Sequence, residues 1–179
     1  MLIKREDCCL LVIDVQARLL PAMYDPSPVA ARCRELLQAA RAAGVPILVS
    51  EHYPRGIGHT AEAIADLVPA DAVMEKILFS CFAEPSLRQR IRDVDRPDLV
   101  LAGMEAHVCL GQTAIDLVAA GYHVFVASDA TASRSRLDHE TALHRMAQEG
   151  AEIVTTERVV GAWLRDTGQP AEPRVEGMR

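Results

Sequence analysis

One short run constrains the fold of this chain more than any other feature: Cys8-Cys9-Leu10-Leu11-Val12-Ile13, apolar without a break and closed by Asp7 and Asp14. An amphipathic helix would break such a run with polar residues, and a half-exposed strand would alternate. A continuous short run fits a strand covered on both faces, so a central parallel strand is expected here. Similar short runs recur at 46–50, 72–75, 98–103, 123–128 and 152–155. Between them lie segments with helical spacing. The segment 29–43 is introduced by Pro26-Ser27-Pro28, is apolar at Val29, Cys33, Leu36, Leu37 and Ala40, and is stopped by Gly44. Further helices are expected over 60–67, 85–92, 110–120, 138–148 and 159–164, and the stretch 51–59 reads as a polar loop. Six strands alternating with helices over short connections define the α/β class, a doubly wound three-layer sandwich with a mostly parallel six-stranded sheet. The domain is read as 1–166. Residues 167–179, with Pro170, Pro173 and no apolar period, are read as a C-terminal extension.

Composition removes several function classes. A length of 179 residues suits one domain. There are 19 basic against 25 acidic residues, a formal charge of −6, with no cluster of Lys and Arg, so nucleic acid is not an expected partner. The apolar run at 8–13 is far shorter than the ~20 residues that span a bilayer, so neither a membrane span nor a signal peptide is read. Five cysteines, an odd number with no CxxC pair, point to a reduced, cytoplasmic protein without disulfides.

In open parallel sheets, ligands bind beyond the carboxyl ends of the strands. Those ends hold Asp14, Glu51 and His52, Lys76, the stretch 103–109, and Asp129. Cys109 falls a few residues after a strand, at or near a helix start, where free N–H groups favour a thiolate. A carboxylate such as Asp14 could accept the thiol proton, an ammonium such as Lys76 could hold the pair charged, and the turn at 103–108 could offer N–H groups to an oxyanion. From spacing alone, three plainer readings stay open: Asp14 only ends a strand, Lys76 is a solvated charge, and Cys109 packs helix against sheet.

Three segments carry a resemblance: Leu11-Val12-Ile13-Asp14-Val15-Gln16, Lys76-Ile77-Leu78-Phe79-Ser80-Cys81-Phe82, and Ala102-Gly103-Met104-Glu105-Ala106-His107-Val108-Cys109-Leu110-Gly111-Gln112-Thr113-Ala114. Together they resemble the signature regions of the isochorismatase-like cysteine hydrolase superfamily, over about residues 5–166. The resemblance implies that Asp14, Lys76 and Cys109 form that family's catalytic triad and that the strand order is 3-2-1-4-5-6. It also implies a cis peptide between Met104 and Glu105, an oxyanion hole made by the N–H groups of Glu105 and Cys109, and a homo-oligomer, dimer or tetramer. The segments Ser50-Glu51-His52-Tyr53-Pro54-Arg55-Gly56-Ile57-Gly58, Ala127-Ser128-Asp129-Ala130-Thr131-Ala132-Ser133-Arg134 and Ile153-Val154-Thr155-Thr156-Glu157 are similar to the isochorismatase domain-containing proteins and their bacterial relatives. Nicotinamidases of the superfamily carry an Asp-x-His pair and further histidines for a metal. Here the loop offers Glu51-His52-Tyr53 and a distant His59, a poor ligand set, so no metal and no cofactor is expected. Members that cleave a vinyl ether often have glycine in place of the cysteine, whereas this chain keeps Cys109.

The resulting expectation is a cysteine-dependent hydrolase of a small-molecule amide or ester, working through a covalent acyl-enzyme. The alternative is a non-catalytic small-molecule-binding or interaction protein on the same fold. A nucleotide-binding reading is disfavoured because no GxGxxG follows the first strand. Gln16, His52, Tyr53, Phe82 and His107 are candidate substrate-binding residues. For each a plainer role stands beside this: site support for Gln16, solvation for His52, packing for Tyr53 and Phe82, and no direct part for His107. Cys8, Cys9, Cys33 and Cys81 read as packing residues. Ser128-Asp129 and Ser133-Arg134 either cap the next helix or build an oligomer contact.

Overall fold

A computed structural model describes residues 2–165, so the expected extension at 167–179 and the domain boundary at 166 lie outside the described residues. The strands are β1 (Cys8–Ile13), β2 (Ile47–His52), β3 (Val73–Lys76), β4 (Asp98–Met104), β5 (His123–Ala132) and β6 (Glu152–Val154). They form one sheet in the order β3-β2-β1-β4-β5-β6, and every pairing is parallel. The helices are α1 (Pro26–Ala43), α2 (Pro54–Ile57), α3 (Glu62–Ala65), α4 (Pro85–Val94), α5 (Gly111–Ala119), α6 (Arg136–Gln148) and α7 (Thr156–Leu164). No helix among the described residues is long and apolar enough to cross a membrane.

The unbroken apolar run is explained by the layers. Successive strand side chains point to opposite faces. Cys8, Leu10 and Val12 join Leu36, Leu37, Val159 and Trp163 beneath α1 and α7. Cys9, Leu11 and Ile13 join Leu87, Ile91, Leu117 and Met146 beneath α4, α5 and α6. All six β1 residues are buried, and each Leu, Val or Ile among them contributes about 1.5–3 kcal/mol. The helix expected over 29–43 begins earlier, at Pro26, whose fixed φ suits a first turn, and it ends at Gly44 in the left-handed region (φ 69°).

Four expectations need correction. Strand β2 continues through Glu51 and His52, in place of the loop expected from residue 51, because they pair with Glu75 and Lys76 of β3. The loop that follows contains the helical turn α2. The helix expected over 60–67 shrinks to the single turn α3, since Thr60 bridges to Gln16 and spends its N–H and hydroxyl on Glu51. Strand β5 runs on to Ala132, because a register shift against β4 lets Thr131 and Ala132 pair with Gly103 and Met104. Asp129 therefore lies inside a strand.

Candidate active site

The site is assembled where β1, β2, β3 and β4 end. Asp14 follows β1 with φ 52°, a left-handed conformation that Asp tolerates better than most residues. Its N–H donates to the Ser50 carbonyl at 3.1 Å, which fixes the turn. Asp14 Oδ1 accepts the Ser50 hydroxyl at 2.6 Å, and Oδ2 accepts the Lys76 ammonium at 2.8 Å. Lys76 closes β3, two strands from β1, and its side chain crosses the end of β2 to reach Asp14. The side chains of both members of this ion pair have 0% exposure. Burial by itself would push the Lys76 ammonium down. The negative Asp14, with Cys81 and Cys109 beside it, outweighs burial and holds its pKa above the ordinary value.

Strand β4 delivers Cys109. Gly103 has φ 115°, and a Cβ there would meet the Ile13 carbonyl oxygen at 2.0 Å, so only glycine lets β4 lie this close to β1. The Met104–Glu105 peptide is cis. The chain then enters a π-helical turn, Ala106–Leu110, in which the Glu105 carbonyl accepts the N–H groups of Val108 and Leu110 at 3.0 and 3.2 Å. Cys109 belongs to this turn, one step ahead of α5. It is 6% exposed. Burial, then the charge of Asp14, push its thiol well above the ordinary value, and Lys76 opposes them in part. A hydrogen bond to Asp14 also favours the protonated thiol. The Cys109 sulfur and an Asp14 carboxylate oxygen lie within 4.8 Å of each other.

The structure therefore brings Asp14, Lys76 and Cys109 together. His52, at the end of β2, joins them: the ligating atoms of Asp14, His52 and Cys109 all lie within 4.8 Å of one another. Burial and the nearby Lys76 push the His52 imidazole below its ordinary pKa. Its ring meets Phe79 with centroids 5.5 Å apart. Phe79 is half-exposed, as are Leu78 and Tyr53, and Ile77 is more so.

The other candidates are placed differently. Gln16 is fully buried, and both its polar atoms are engaged. Nε2 donates to the carbonyls of His52 and Gly58 at 3.0 and 2.5 Å, and Oε1 accepts the His52 N–H at 2.8 Å. It is a strut for the loop after β2. The Tyr53 ring lies over Gly56, where an added Cβ would sit 2.4 Å from its Cε1. Phe82 packs edge-on against Tyr122, with Arg92 5.8 Å above its ring. Both rings pack against the layer under α4, α5 and α6, which is the packing alternative for Phe82. His107 Nδ1 pairs with Ser133 Oγ at 2.9 Å. Its ring lines a cavity of about 350 Å³ against α6 whose lining includes none of Asp14, Lys76 and Cys109.

Ser133 thus meets the π-helical turn, and Arg134 Nε donates to the carboxylate of Glu105, which precedes that turn, at 2.8 Å. Asp129 accepts the N–H and hydroxyl of Thr156 at the start of α7, while Ser135 caps α6. Glu51 accepts from Thr60 and pairs with His59 at 2.8 Å, so its carboxylate is committed to the loop.

Two supporting residues escaped the sequence reading. Ser50 stands beside Ile13 in the β1–β2 register, so its position at a strand end was the available signal. Thr113, one turn into α5, donates to the Cys109 carbonyl at 2.6 Å and accepts the Cys81 N–H at 2.9 Å. Cys81 is fully buried beneath the site, its sulfur 3.5 Å from Ser50 Oγ.

Comparison with known proteins follows the same lines. The family model of the isochorismatase domain matches residues 8–158. Isochorismatase domain-containing protein 1 of Danio rerio is 37% identical over 172 residues, which are 96% of this chain; the chain spans 59% of that relative's length. The solved structure of MAR1 ribonuclease from Caenorhabditis elegans superposes with a TM-score of 0.87 at 30% identity, covering 95% of this chain and 88% of that one. The YcaC gene product of Escherichia coli, an octameric hydrolase of unknown specificity, shares the fold with a TM-score of 0.88 at 21% identity, over 93% of this chain and 83% of that one. On the family match and the identity to curated relatives, this chain belongs to the isochorismatase family.

Proposed function

We propose that this protein is a hydrolase that cleaves a small-molecule amide, or an ester, through a covalent intermediate on Cys109. Membership of the isochorismatase family supports hydrolysis as the reaction type. The observation that carries the cysteine mechanism is the buried Asp14–Lys76 ion pair with the Cys109 sulfur within 4.8 Å of the Asp14 carboxylate. Asp14 takes the thiol proton as Cys109 Sγ attacks the carbonyl carbon. The backbone N–H groups of Glu105 and Cys109 receive the developing oxyanion. Asp14 then gives its proton to the leaving amine or alcohol as the C–N or C–O bond breaks. A water molecule loses a proton to Asp14 and attacks the thioester, and the expelled sulfur regains the proton as the acid leaves. Lys76 stays protonated throughout and keeps the site near neutrality. No step calls on a metal or cofactor.

His52 and Tyr53 border the substrate in this reading. Gln16 holds the loop that carries them, and His107 acts through the nucleophile turn. A homo-oligomer in the cytoplasm is part of the proposal. The octameric assembly of the E. coli relative and the exposed Ile77, Leu78 and Phe79 support the first part, and five free thiols support the second.

The test is a screen of small amides and esters with intact-mass detection. The wild-type protein should gain the mass of one acyl group on Cys109, and Cys109→Ala should lose both the adduct and turnover. Full turnover in Cys109→Ala overturns the covalent mechanism.

A further inference from the structure

We infer that Asp14, His52 and Cys109 form a binding site for a thiophilic divalent cation of the Zn²⁺ class, which would switch off the nucleophile. Two observations lead there. A carboxylate oxygen, an imidazole nitrogen and a thiol sulfur come from the ends of β1, β2 and the turn after β4, all within 4.8 Å of one another. Three protein ligands of mixed O, N and S type, with a fourth position left for water, are the donor set that Zn²⁺ takes in open sites. With Zn–S near 2.3 Å and Zn–N near 2.0 Å, tetrahedral ligand atoms sit roughly 3.5 Å apart, so the trio needs to draw in by about an ångström. His52 also has an unspent donor atom: its Nδ1 is buried and has no hydrogen-bond partner.

The rest of the site is already braced for such a cation. Asp14 is fixed by Ser50, and His52 is fixed through its backbone by Gln16. Such supports keep ligand atoms aimed and normally add to metal affinity. Lys76 opposes binding, since its ammonium lies 2.8 Å from Asp14 Oδ2. The thiol answers it: as the metal–sulfur bond forms, the S–H proton leaves to solvent, and the new thiolate adds a second negative charge beside the carboxylate. No electron is transferred. The Glu51 and His59 pair, which sequence spacing offers as ligands, is not part of this site, because its groups are bonded to each other and to Thr60.

As a binding site the trio stands on its own geometry, and only its inhibitory meaning rests on the acyl-enzyme reading. The probe is Co²⁺ added to the reduced 179-residue protein, followed by displacement with Zn²⁺. One equivalent should give a near-ultraviolet sulfur-to-cobalt charge-transfer band with the strong visible bands of a four-coordinate ion, and Zn²⁺ should abolish both. Cys109→Ala should lose the charge-transfer band. His52→Ala should weaken binding by more than the roughly 10–100-fold that removal of an outer-shell partner costs. Circular dichroism of each variant separates a lost ligand from a lost fold. The inference is overturned if the reduced wild-type protein shows no such band, or if folded Cys109→Ala or His52→Ala binds Co²⁺ as the wild type does. Because the readout is spectroscopic, an acyl adduct without cobalt binding defeats this inference alone, and cobalt binding without an adduct defeats only the mechanism.

Discussion

Lys76 and Asp14 share one salt bridge in which both side chains have 0% exposure, so little screening softens the loss of either partner. Lys76→Met should leave the Asp14 carboxylate buried without its counter-charge and cost about 3–5 kcal/mol in urea unfolding. The double variant Asp14→Asn with Lys76→Met should recover part of that loss, because no charge is then stranded. Additive losses would show that the pair contributes nothing as a pair. A second residue-scale prediction concerns Gly103. Alanine there would place its Cβ 2.0 Å from the Ile13 carbonyl oxygen and require a strained φ of 115°. Backbone strain of that kind costs about 1–3 kcal/mol before the clash is counted. Gly103→Ala should therefore lower the urea midpoint by more than 1 kcal/mol equivalent, and a neutral effect would contradict the close approach of β1 and β4.

At the scale of elements, the segment after β2 is held by two buried polar side chains. Gln16→Ala removes the acceptor of the His52 N–H and the donor to two carbonyls. The expected cost is about 1–3 kcal/mol. Hydrogen exchange should show the His52 amide losing protection while β4 amides keep theirs. Glu51 holds the same segment from the other side. Burial would raise its pKa, but the hydrogen bonds from Thr60 and His59 prevail and lower it from the ordinary 4.5. The folded pKa is the lower one, so this stabilisation is complete above the ordinary value and is lost as pH falls through the folded value. Glu51→Gln should be less stable than the wild type at neutral pH, and the gap should close well below pH 4.5. These elements also show what the sequence can and cannot reveal. The six strands were readable because cover on both faces leaves unbroken apolar runs. The end of β2 was not, because Glu51 and His52 are polar residues held extended by β3. The π-helical turn hid inside what looks like the first turn of α5, since its residues have no composition of their own. Strand ends and a family resemblance single out Asp14, Lys76 and Cys109, which the fold brings close together. Phe79 and Phe82 carry the same local signal three residues apart, and only packing sends one to His52 and the other to Tyr122.

For the whole molecule, the decisive feature is that one strand feeds both cores. Alternate β1 residues enter the layer under α1 and α7 and the layer under α4, α5 and α6, so neither layer can loosen while β1 stays in register. Trp163 is the single tryptophan, fully buried in the first layer. Its fluorescence therefore reports that layer, while far-ultraviolet circular dichroism reports all the helices. If the two cores melt as one unit, the two urea transitions must coincide. A truncation in the other layer extends the test. Leu117→Ala, at a position with 0% exposure in α5, should cost about 2–5 kcal/mol and shift the Trp163 transition by as much as the dichroism. A variant in which dichroism moves and Trp163 fluorescence does not would mean that the layers unfold separately. In that case the shared strand would not couple them, and the carboxyl-end site, which draws Asp14 from β1 and Cys109 from the turn after β4, could open without global unfolding.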